Sequence, residues 1–223
     1  TGGVGVKTYY LDIETTGLSA ERDYIIEIAI VGDELKEGWL IKPPIDIPAS
    51  ATAIHSITPA MVAQSPPISE ILGQIKGILG QSCYLVAHNG DCFDKKFIVA
   101  EAKRHGIPLP DGWIWIDSLK WARKYRPDLR SHRLGALVEA CNCKLPQAEH
   151  RALDDTLALK RVCEHMWGDL TTEQIKNLLY DQPVNKIFPW GKWAGCPIQH
   201  LPRDYASWVV NKSGAEQTLK DDI

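Results

Sequence analysis

The chain has 223 residues, 24% charged and 44% hydrophobic, with a formal net charge of −3. That balance excludes a disordered chain, a collagen-like repeat and a disulfide miniprotein, and it leaves enough apolar mass for a core. The acidic total supplies no global field to attract nucleic acid, and no run approaches the ~20 apolar residues of a membrane span.

The N-terminus reads as trimmed and lacks a basic-then-apolar signal pattern. Thr8 to Glu14 reads as a strand and Tyr24 to Val31 as a second, mostly buried one. A connection containing Pro43, Pro44 and Pro48 follows, then Ile54 to Val62 with turn and short-helix character. Apolar spacing predicts a helix over Ile68 to Leu79. Tyr84 to Ala87 is a short buried strand, and Asp94 to His105 a helix stopped by Gly106 and Pro108. Trp113 to Ile116 is another strand, with helices over Ser118 to Tyr125, Arg133 to Cys141 and Ala152 to Trp167. This order indicates an α/β domain with a mixed sheet. A further helix starts near Thr171, a plausible N-cap, and the Trp-, Gly- and Pro-rich region beyond Gln182 reads as a small appendage. The 6 cysteines include no Cys-x-x-Cys pair, so they read as buried thiols of a reducing, cytoplasmic protein.

Three carboxylate clusters stand out. Asp12 and Glu14 are two apart on a strand and share a face. Neighbouring carboxylates in an apolar strand repel and resist burial unless a hard divalent cation sits between them. Asp94 opens a helix after the turn His88-Asn89-Gly90-Asp91-Cys92-Phe93. As an N-cap type residue it is as well explained by the helix start as by chemistry. Asp155 is the one charged member of the stripe Ala152, Asp155, Leu159, Val162 and Met166, and burying a lone carboxylate is costly. His150 precedes that helix, where it is a candidate general base.

Asp12-Ile13-Glu14-Thr15-Thr16-Gly17, the Asn89-to-Asp94 turn and His150-Arg151-Ala152-Leu153-Asp154-Asp155 together resemble the DEDDh (DnaQ-like) exonuclease superfamily. The spacing from His88 to Asp94 is similar to that of Trex-type enzymes, which favours Asp94 over Asp91 as the ligand. The resemblance implies an RNase H-like, five-stranded mixed sheet flanked by helices over residues 6–168. Residues 171–223 look like the tail of exonuclease X-type proteins, with Trp190, Trp193, Tyr205 and Trp208 forming either a mini-core or a stacking platform.

It also implies two Mg²⁺ or Mn²⁺ ions held by Asp12, Glu14, Asp94 and Asp155, with His150 as general base in 3′ to 5′ removal of mononucleotides. Thr15, Thr16 and Gly17 would meet the terminal nucleotide through backbone amides, and Leu18 would wedge against its base. His55 and Asn89 match positions near the substrate. The implied partner is single-stranded DNA or a DNA 3′ end, with RNA as the alternative polymer and no membrane. A homodimer is an option, since Trex-type relatives dimerise. From another class, the rival is a non-catalytic nucleic-acid-binding protein on the same fold. Lys120, Arg123, Lys124, Arg126, Arg130 and Arg133 face only Asp128 in their segment and read as a solvated face or a backbone-contacting track.

Overall fold

The strand that carries the acidic pair runs through the middle of the sheet. The computed structural model describes residues 6–143, 151–180 and 203–212. It divides into two units, Thr1–Thr172 and Glu173–Ile223. In the first, β1 (Thr8–Thr15), β2 (Ile25–Val31) and β3 (Lys36–Leu40) form an antiparallel meander. β4 (Ser82–Ala87) runs parallel to β1, and β5 (Gly112–Asp117) parallel to β4, giving the order β3-β2-β1-β4-β5. This is the five-stranded mixed sheet implied by the motifs.

Parallel neighbours need crossovers, and helices supply them. α1 (Ala49–His55), α2 (Pro59–Val62) and α3 (Ile68–Leu79) connect β3 to β4, and α4 (Asp94–Arg104) connects β4 to β5. α5 (Ser118–Tyr125), α6 (Leu134–Ala140) and α7 (Ala152–Trp167) follow, and α7 packs across β1 and β2. The second unit contains α8 (Thr172–Tyr180) from its second residue on and α9 (Arg203–Lys212), where the Tyr205 and Trp208 rings stack with centroids 5.5 Å apart. Trp190 and Trp193 lie outside the described residues. Among those residues, no helix is long and apolar enough to cross a membrane.

The period-two alternation of β1 gives its faces different jobs. Tyr9, Leu11 and Ile13 join a core with Ile71, Leu72 and Ile75 of α3 and Phe97 and Ile98 of α4. Each such side chain contributes about 1.5–3 kcal/mol by leaving water. Asp12 and Glu14 fall on the opposite face, the one α7 covers. A register shift between Glu14 and Thr15 ends the regular pairing with β2 just past the acidic pair. Irregularities of that kind commonly re-aim side chains beside active sites.

Two elements were not anticipated from sequence. β3 has exposed Lys36, Glu37 and Gly38 and only one neighbouring strand, so it shows neither an apolar run nor clean alternation. α1 begins at Ala49, ahead of the expected short helix, because its buried face is small, with Ala51 and His55 alone below the surface.

Candidate active site

Ligand-capable oxygens of Asp12, Glu14 and Asp155 all lie within 4.8 Å of one another. β1 presents the first two on one face, and the first turn of α7 brings the third over them. The α7 stripe is as the sequence indicates: Ala152, Leu159 and Val162 are buried, and Asp155 is half-buried where the stripe meets the acidic pair. Asp94 is only 2% exposed at the start of α4 and lies outside that mutual 4.8 Å set. Its charge is nevertheless the largest of the neighbouring carboxylates' influences on Asp12.

Asp12, Glu14 and Asp94 resist ionisation. Asp12 is pushed well above the usual carboxylate range, by burial first and then by Asp94, Glu14 and Asp155. Glu14 is raised to about 8 by burial, Asp155 and Glu27, with Arg151 opposing. Asp94 is raised to about 7, mainly by burial. Four crowded acids that repel one another and offer only hard oxygen donors suit a divalent cation such as Mg²⁺ or Mn²⁺.

Glu27 is the one charged residue of the apolar strand β2 and belongs to none of the three carboxylate clusters. It stands opposite Glu14 in the β1–β2 register and is 4% exposed. Arg151 Nε donates to its Oε1 at 3.0 Å and its Oε2 at 3.2 Å, and the Ala152 amide donates to Oε2 at 3.0 Å. One carboxylate thus neutralises a guanidinium and caps the start of α7, fixing the helix end that carries Asp155. The signal in sequence was a Glu that would otherwise be buried without a partner; its partner is 124 positions away.

The loop after β1 is organised by Asp23. Its Oδ2 accepts from the Ser19 amide at 2.8 Å and its Oδ1 from Thr16 Oγ1 at 3.3 Å. A Cβ on Gly17 would stand 2.5 Å from Asp23 Oδ1, so this position has no room for a side chain. Thr15 Oγ1 donates to the Gly17 carbonyl, and the Thr16 amide donates to Tyr24 O at 2.9 Å. That bond takes the Thr16 amide out of the expected substrate-facing set. The Gly17 and Leu18 amides have no internal partner among the described residues. Leu18 is 88% exposed, a large apolar side chain left in water.

Asn89 is exposed and has a positive φ of 65°. Asp117, the N-cap of α5, accepts the Asn89 amide at 3.0 Å as well as that of Leu119 at 2.9 Å, which secures the turn leading to Asp94. Asp91 pairs with Lys120, consistent with giving the ligand role to Asp94. His55 is placed differently from a surface contact: it is 2% exposed, and its Nδ1 accepts from the Ile57 amide at 3.0 Å. Among the described residues His55 Nε2 has no hydrogen-bond partner, and burial lowers the pKa of the ring. His150 lies outside the described residues.

The exonuclease (RNase_T) family profile matches residues 10–163, which includes all four carboxylates. The chain belongs to this family. Its mixed sheet and flanking helices are those of the DEDDh (DnaQ-like) 3′–5′ exonuclease superfamily. The domain is 34% identical over 169 residues to a PolC-type DNA polymerase III of Clostridium perfringens, covering 73% of this chain and 11% of that protein. It is 32% identical over 175 residues to Exonuclease DPD1, chloroplastic/mitochondrial, of Arabidopsis thaliana, covering 71% of this chain and 55% of that protein. The chain therefore spans about a tenth of the polymerase and about half of the plant exonuclease. Among solved structures, exonuclease X in complex with 5′ overhanging duplex DNA superimposes with a TM-score of 0.59 at 28% identity, covering 77% of this chain and 99% of that one. An exonuclease I structure, at 17% identity and a TM-score of 0.62 over 79% of this chain and 43% of that one, shares the fold.

Proposed function

We propose that the protein removes nucleotides one at a time from the 3′ end of single-stranded DNA or of a DNA end, using two divalent metal ions. The observation that carries this reading is the convergence of Asp12, Glu14 and Asp155 within 4.8 Å, with buried Asp94 alongside. The named relatives favour DNA as the polymer, since one is a DNA polymerase and one is held on duplex DNA.

Asp12, Glu14, Asp94 and Asp155 would hold Mg²⁺ or Mn²⁺. When bound, the cations polarise the scissile phosphate and offset the charge that develops on it. The chain's own residues do the rest. Gly17 and Leu18 offer two unengaged amides to the terminal nucleotide, and exposed Leu18 packs against its base. Asn89 stands on the turn beside Asp94. Thr15 and Thr16 hold that loop through their hydroxyls. His150 takes the proton from the attacking water, a role suited to a pKa near ~6.5. Residues 6–168 form the catalytic domain in this reading and 171–223 an extension similar to the exonuclease X tail. The free cysteines Cys83, Cys92, Cys141, Cys143 and Cys163 support a reducing, cytoplasmic setting.

The test uses end-labelled DNA and RNA oligonucleotides with Mg²⁺, Mn²⁺ or EDTA, comparing wild type with Asp155→Ala and His150→Gln. Stepwise 3′ shortening of DNA, absent in EDTA and in both variants, is expected. Intact DNA and RNA in both metals would leave the domain as a nucleic-acid binder only.

A further inference from the structure

The structure sorts the six cations between Lys120 and Arg133. Lys120 pairs with Asp91, and Arg126 grips Asp128 through Nε at 3.0 Å and Nη2 at 2.9 Å. Lys124 lies over the Tyr125 ring, 5.3 Å from its centroid. Arg123, Arg130 and Arg133 make no ion pair among the described residues, and all three line one open cavity of about 350 Å³ with His88, Asn89 and Ser131.

The walls of this cavity are fixed by hydrogen bonds. His88 bonds Ser118 Oγ through Nδ1 and the His132 carbonyl through Nε2, both at 2.9 Å. A carbonyl only accepts, so the His88 proton sits on Nε2; burial also lowers the pKa of this ring, and it adds no charge. His132 Nε2 in turn donates to the Arg126 carbonyl at 2.8 Å. The α5–α6 loop is thereby stapled to the β4–α4 turn that leads to Asp94. Three guanidiniums facing one cavity without an acid repel one another, and an anion is the group that relieves this.

We propose that this cavity seats one phosphodiester group of the bound polynucleotide, on the 5′ side of the bond that is cut, without reading base identity. The assignment rests on the exonuclease reading: when one terminal nucleotide leaves, the remaining phosphates all lie on the 5′ side.

The test is fluorescence anisotropy of a labelled ten-residue thymidine oligonucleotide in EDTA, where nothing is cut, across a series of salt concentrations. The full chain is used as wild type, R123A/R130A/R133A, the corresponding triple lysine variant, R130A and R126A. The triple alanine variant is expected to bind about tenfold more weakly at low salt, with the slope of log affinity against log salt reduced by about 0.7 for one lost phosphate contact. The triple lysine variant keeps the charge and regains most of the affinity. R126A changes net charge by as much as R130A, yet stays within about twofold of wild type.

A triple alanine variant that binds like wild type overturns the proposal, as does equal weakening by R126A and R130A, which would mean a diffuse basic field. A wild type that binds no oligonucleotide also overturns it. A circular dichroism melt checks that the variants fold, and the lysine variant gives the charge test if the alanine variant does not. Arg-dependent oligonucleotide binding without any cleavage in Mg²⁺ or Mn²⁺ would sink the exonuclease reading and with it the pocket's place relative to a cut bond, leaving a phosphate-binding pocket only; cleavage with Arg-independent binding would sink the pocket alone.

Discussion

Replacing Arg151 by methionine tests whether the Glu27 pair holds α7 over the acidic face. The substitution keeps the side-chain stem but removes the Nε bonds at 3.0 and 3.2 Å and the Nη2 bond, leaving the Ala152 amide as the remaining donor to Glu27. Breaking a buried ion pair costs about 3–5 kcal/mol, because the surviving charge is stranded. Here the Glu27 side chain is 5% exposed but that of Arg151 is 33% exposed, so water screens part of the loss and about 2 kcal/mol is expected. The stranded carboxylate also stands opposite Glu14, which adds repulsion. For a unit of this size, about 2 kcal/mol is a fall of roughly 4–8 °C in Tm. Glu27→Gln removes the stranded charge as well as the pair and should cost less than about 1 kcal/mol. Urea unfolding followed by tryptophan fluorescence in EDTA gives the stabilities, and the double variant should show a coupling of at least about 1 kcal/mol. A loss below about 0.5 kcal/mol for Arg151→Met, or simple additivity of the two substitutions, would refute the anchoring argument. Activity supplies a second readout: with α7 displaced, kcat at saturating Mg²⁺ should fall together with stability.

Asp12→Asn should lower cleavage by about 10³-fold or more, the several kcal/mol that a metal contributes to a phosphoryl transition state. It should also abolish the Tm rise that Mn²⁺ gives the wild type, about 2.7 kcal/mol at a hundredfold excess over Kd; an unchanged Mn²⁺ shift in a melt would remove Asp12 from the ligand set. In EDTA the stability of the wild type should fall as pH rises. Glu14 goes from 4.5 to about 8 and Asp94 from 3.8 to about 7 on folding, so between those values the folded chain holds more protons than the unfolded one. The decline should run from about pH 4 to pH 8 and flatten in saturating Mg²⁺; stability that rises across that window in EDTA would contradict the crowded-acid picture. Leu18→Ala, at a side chain 88% exposed, should leave stability within about 0.5 kcal/mol and raise KM for oligonucleotides several-fold. Unaltered KM in steady-state kinetics would remove Leu18 from the substrate contacts.

Local patterns in the sequence were enough to pick out three carboxylates that the fold brings together. Asp12 and Glu14 share a face because side chains alternate along any strand, and Asp155 interrupts a helical apolar stripe; both periods are properties of the backbone alone. The α3, α5 and α7 spans were legible for the same reason, and β3 was not, since an edge strand with polar faces has no period to detect. Tertiary structure decided what depends on distant partners. Glu27 acquires its meaning only from Arg151, 124 positions away, and His55 shows its burial only once α1 is packed. The chain's net charge of −3 says nothing about where its cations stand. Folding spends Lys120 and Arg126 on Asp91 and Asp128 and turns Arg123, Arg130 and Arg133 toward one cavity, because ion pairing depends on separation in space, which a sequence does not carry.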